Sequence, residues 1–181
     1  MKQMNMKLKS LPVMLLVALL GTTLLANAAP SADVTLNGII TNTTCDVTVN
    51  NNLSTLNVGV YKAGDFKANE QQGSVPLPVQ LTNCGTASGE SGKETGALII
   101  QGTTATANPS KQLFTASPGD TVGFMIKDSS NVQIAADENV VLEVTTAGPN
   151  TYSFNVGMGS TAASPAAGSY SAPITVAYIV N

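Results

Sequence analysis

The chain has no long stretch of apolar residues at helical spacing. It has short runs in which apolar residues alternate with polar ones, and alternation is the mark of strands with one buried face. Leu56, Val58 and Val60 share one parity, as do Val75, Leu77, Val79 and Leu81. Val122, Phe124 and Ile126 repeat the pattern, followed by Val132 and Ile134, by Val140, Leu142 and Val144, and by Tyr152, Phe154, Val156 and Met158. Between the runs lie "TASPGD", "DSSN", "TAGPN" and similar clusters. In these, Gly supplies positive φ, Pro fixes φ, and Asn, Asp and Ser bond their own backbone. Many short strands punctuated this way predict one all-β sandwich. Pro76 and Pro78 share the parity opposite Val75, Leu77 and Val79, so both remove a donor from one side of that strand. Their run is expected to start at a sheet edge or before its pairing begins.

The first residues are not expected to belong to the fold. Lys2, Lys7 and Lys9 precede the apolar run 11–20, and Ala26-Asn27-Ala28 supplies a small-residue cleavage pattern. Residues 1–28 therefore read as a secretory signal peptide; the run is short of the roughly 20 residues that span a bilayer. Three of the eight lysines leave with it. Five then face eleven carboxylates, a formal charge of −6 with no arginine. Nucleic acid and anionic lipid call for clustered Lys and Arg, so no nucleic-acid partner is expected.

Chemistry is scarce. Histidine is absent, which removes the commonest general base and metal ligand and any serine triad. Cys45 and Cys84, both in the exported part, are expected to form a disulfide; a zinc site would need further ligands. Asp137 and Glu138 are adjacent, and neighbours in a strand point to opposite faces, so a solvated turn is the better reading. Glu90 and Glu94 are expected in a Gly/Ser-rich loop and read as solubilising, not catalytic. No catalytic residue, metal site or cofactor is expected, and the chain does not read as an enzyme.

The two ends are more telling. The sequence closes on "GSYSAPITVAYIVN", with Gly168, Tyr170, Ala172, Ile174, Val176, Tyr178 and Val180 on one parity and no charged residue from 168 to 181. Strand edges left open invite pairing and are normally blunted by charge, proline or a bulge. This edge is expected to receive a partner, one lip of an acceptor groove. At the other end, residues 29–42 form a leader in which Ala32, Val34, Leu36, Gly38 and Ile40 alternate. Such a segment could donate a strand, main-chain bonds giving affinity and alternate side chains giving register. A donor at one end and an acceptor at the other make a head-to-tail contact that generates open filaments. The competing reading, two ordinary core strands of a complete sandwich, leaves the uncharged terminal edge unexplained.

"LNGIITNTTCDV", "VQLTNC" and the closing run resemble the subunits of chaperone–usher pili, in particular the type 1-like fimbrial proteins of Gram-negative bacteria. The likeness covers the exported chain: a glycine eight residues before Cys45 counted inclusively, a cysteine spacing of 39, and Gly168 fourteenth from the end. It implies an incomplete immunoglobulin-like β-sandwich, a six-stranded pilin fold lacking its seventh strand and completed in trans. It implies that the disulfide joins the first strand region to the end of the second main strand, with residues 43–181 as the pilin domain. It also implies a periplasmic chaperone, an outer-membrane usher, other copies or related pilins and a tip adhesin as partners, and export through the periplasm to a surface fimbrium. One departure is Val180, where the family usually has an aromatic residue. The function expected is a structural, adhesion-supporting subunit polymerising by donor-strand exchange. Alternatives are a minor adaptor of a pilus tip or a secreted carbohydrate-binding module; low aromatic content and the absence of Trp argue against the latter.

Overall fold

The structure is a computed structural model that describes residues 45–85 and 92–180. The expected leader strand and Glu90 lie outside them. Two antiparallel sheets face each other. The first has the order β1 (Asp46–Val49), β2 (Gln72–Thr82), β6 (Asn150–Ser160), β4 (Val122–Lys127). The second has the order β5 (Asn139–Thr145), β3 (Lys93–Gly102), β7 (Ile174–Val180). This is the all-β sandwich the alternation predicts. Strand segments number seven among the described residues.

The parities that carry the apolar residues point inward. Leu77, Val79 and Leu81 of β2 meet Phe154 and Val156 of β6 in the first layer, and Leu98, Ile100, Leu142 and Val144 of the second sheet close over them. Phe114, from the connection before β4, fills the space between and is fully buried. The crossing from β5 to β6 is pinned by Asn150. Its side-chain Oδ1 accepts from the Thr145 backbone amide at 2.8 Å, and its side-chain Nδ2 donates to the Thr145 carbonyl at 2.9 Å. The predicted turns form with their own caps: Asp120 accepts from the Ser117 amide, and Asp128 from the amides of Ser130 and Val132. Asp137 and Glu138 do lie in a turn, where Glu138 accepts from the Ala135 amide.

Three expectations are corrected. Leu56, Val58 and Val60 do not form a strand. Asn50, Asn51 and Asn52 all have left-handed φ, at 52°, 53° and 65°, and turn the chain off β2; Gly59 at φ 115° then breaks the alternation. Val58 is buried while Val60 is 97% exposed. Val132 and Ile134 provide only a bridge, Lys127 to Gln133, because the turn capped by Asp128 leaves too little chain to pair. Glu94 is in β3, not in a loop.

The disulfide Cys45–Cys84 is formed, with the Cα atoms 4.1 Å apart. It joins the residue before β1 to the end of β2, next to the pair Asp46↔Thr82. Closing a loop of 39 residues' separation restricts the unfolded chain by about 3–4 kcal/mol in the loop-entropy model. Cys45→Ala with Cys84→Ala should therefore lower the unfolding free energy by about that amount, read from the shift in urea midpoint. An unchanged midpoint would show that the unfolded chain gains nothing from the bridge.

Candidate strand-acceptor groove

β7 is an edge strand. It pairs with β3 from Gly102↔Ile174 to Gly96↔Val180. Its other flank has no strand beside it among the described residues. The consequence shows in burial. Ala172, Ile174, Val176 and Tyr178 pack against the core, yet each is only half-buried. Leu98 and Ile100, their counterparts in the interior strand β3, are fully buried. The difference is the missing neighbour: a strand flanked on one side covers only part of an inward-facing row.

Beside the start of β7 the core opens in a cleft of about 770 Å³. One wall is the irregular segment 53–58, the other is 170–174, and Leu77, Phe124, Ile126 and Val156 form the floor. No charged side chain lines it. The segment 53–58 lies there because the three left-handed asparagines end β1 after Val49. Asn50 is buried and holds the turn, donating to the carbonyls of Leu53 at 3.1 Å and Thr55 at 2.9 Å. Tyr170 is fixed on the opposite wall by its hydroxyl, which donates to the Ala166 carbonyl at 2.7 Å.

Of the residues the sequence singles out at the C-terminus, Tyr170, Ala172 and Ile174 line this cleft. Val176 and Tyr178 continue the row beyond it, and Val180 ends the ladder opposite Gly96. Gly168 is exposed in the loop before β7, which starts only after Pro173. The wall 53–58 and the floor were not legible as parts of a groove. Their residues carry the same alternation as any core strand, and only the missing neighbour distinguishes them. Among the described residues no three metal-ligating side chains come together.

Tyr178 marks the far end. Its ring lies over Gly96, where a Cβ would collide with it. The hydroxyl oxygen is buried and has no hydrogen-bond partner among the described residues, although the ring as a whole is half-exposed. Burial, and secondarily the negative charge of Glu94, push its pKa above the ordinary phenol value. An unpartnered hydroxyl costs free energy that its removal recovers.

The two-sheet sandwich has known counterparts in fold. The P pilus rod subunit PapA superposes with a TM-score of 0.58 at 17% identity, covering 76% of this chain and 99% of that one. A chain of a chaperone–usher pilus solved to explain rod uncoiling gives 0.56 at 16% identity, covering 84% and 97%. A Burkholderia pseudomallei antigen and type I fimbria protein is a weaker match, 0.45 at 20% identity over 75% and 90%. No protein-family model matches the sequence, and no curated protein matches it closely. The fold is the pilin fold of chaperone–usher pilus subunits.

Tyr178→Phe should leave stability at neutral pH unchanged or raise it by up to about 1 kcal/mol, because a donor without a partner is removed. The raised pKa sets the sign at alkaline pH. Above the unfolded value of about 10 the unfolded chain loses the phenolic proton first, so stability falls as pH rises through the folded pKa. The fall should be shallower in Tyr178→Phe, as measured by denaturant melts on both sides of that value. A marked loss of stability at neutral pH would mean that the hydroxyl is satisfied.

Proposed function

We propose that this protein is a structural pilus subunit that polymerises head-to-tail by donor-strand exchange. The observation that carries the reading is the unpaired flank of β7 beside a half-exposed apolar row and an uncharged cleft. A strand laid along that flank would satisfy main-chain groups of β7 and cover Ala172, Ile174, Val176 and Tyr178. Residues 29–42 of another copy are the donor, with Ala32, Val34, Leu36, Gly38 and Ile40 facing the groove. Residues 1–28 direct export and are removed, and residues 43–181 form the acceptor domain. Val34, Leu36 and Ile40 would together bring about 5–8 kcal/mol of apolar burial, to which the main-chain bonds add.

A periplasmic chaperone would occupy the groove before assembly, an outer-membrane usher would exchange it, and the finished fimbrium would stand on the cell surface and support adhesion, with a tip adhesin at its end. The likeness in fold to pilus rod subunits supports this reading. The work of such a protein is non-covalent, and no enzymatic role is assigned to it.

Peptide 29–42 added in trans should raise the unfolding temperature of a chain truncated before residue 43. Unheated samples of the exported protein should run as SDS-resistant ladders that collapse to monomer on heating, since strand exchange is kinetically trapped. Monomer alone in unheated samples, with pili unchanged on deletion of the gene, would overturn the proposal.

A further inference from the structure

Besides β7, the sandwich has an unpaired flank on the β1 side. β1 pairs with β2 only from Asp46↔Thr82 to Val49↔Val79. From Gln72 to Pro78, β2 keeps β6 on one side and, among the described residues, has no strand on the other. Among the described residues no backbone hydrogen bond reaches it from residues 53–62. An apolar donor strand faces several open edges, this one and those of β7 and β5 among them.

The edges differ in chemistry. The ladder from Val75↔Val156 to Leu81↔Asn150 is unbroken. That continuity requires the amides of Val75, Leu77 and Val79 to face β6, because residues two apart present their amides to the same side. Pro76 and Pro78 therefore face the open flank, and neither has an amide to offer there. If β1 went on in register, Asn50 would stand opposite Pro78 and Asn52 opposite Pro76. The chain instead turns away at these residues. Further along, the register shifts between Gln72 and Val75, and Gly73 has φ 74°. β7 by contrast contains no proline, no glycine and no charge, and its ladder with β3 has no shift.

We infer that Pro76 and Pro78 are specificity residues: they deny an incoming strand a foothold on β2 and so direct it to β7. The partner is the donor segment of a second copy, and the inference rests on the strand-exchange reading above. A strand paired with β2 would leave the open flank of β7 unpaired, and growth of the filament would leave its axis.

The test uses the full exported chain and a synthetic peptide of residues 29–42 carrying a photo-cross-linker, with attachment sites mapped by mass spectrometry. In the natural protein, attachment within residues 72–78 should stay at background. In Pro76→Val with Pro78→Val it should rise about tenfold, the order expected for restoring two main-chain hydrogen bonds. The single variants, each restoring one donor, should give smaller rises and keep the measurement available if the double variant does not fold. Equal attachment within 72–78 in the natural chain and the variants overturns the inference. Failure of the strand-exchange reading is separate: it appears in the natural chain as no attachment within 174–180.

Discussion

The unpaired main chain along β7 is the constraint on which the rest of the structure depends. A backbone amide or carbonyl kept from water without a partner costs about as much as a lost hydrogen bond, so a sandwich cannot bury an open edge. β7 therefore stays at the rim, and its inward-facing row remains half-exposed. The opposite wall is held away from it. Three successive left-handed asparagines send the chain off β2 after Val49, so segment 53–58 passes the cleft without a ladder to either sheet. Such conformations are costly for residues other than Gly, least so for Asn. Here the cost is offset by the two hydrogen bonds from the buried Asn50 side chain.

The sandwich was legible because its signal is redundant. Leu77, Val79 and Leu81 alternate, turn residues bound the run, and the structure buries all three. The asparagine turn was not legible. "NNN" reads as generic loop, and nothing local announces that Asn50 is buried and that Val60, on the parity of Val58, faces solvent. Alternation survives in sequence even where the backbone has stopped being a strand. The prolines were half-legible. Their parity implied a missing donor on one side, and the register shows that side to be the one β1 fails to cover. The groove could be read only by its lip, since a half-exposed row differs from a core row in what is absent beside it.

An open edge shifts the burden of stability to the interior strands. β2 and β6 share the longest ladder, and Phe154 faces Leu77 across it with both side chains buried. β1 contributes only four residues at the edge of its sheet, too short a strand to hold its place by pairing alone. Cys45 precedes it directly, and the bridge to Cys84 holds the start of β1 against the end of β2. The Asn150 amide also approaches the Cys84 sulfur, at 3.8 Å, which ties the same corner to the crossing between the sheets.

These features divide the protein into a part that must be rigid and a part that must remain incomplete. If the disulfide corner were loose, β1 and the wall 53–58 could close on β7 and fill the cleft from within. The asparagine turn sets that wall apart, the bridge holds its root, and the prolines close the neighbouring flank to strands. The turn and the prolines are local in sequence while the bridge spans 39 residues, and all three act on where the backbone can pair, not on side-chain packing. Substitution at any of them should therefore alter where a strand can bind with little change in the Leu77, Phe154 and Leu98 core, whereas truncating those core residues should weaken the whole domain and leave the choice of edge as it was.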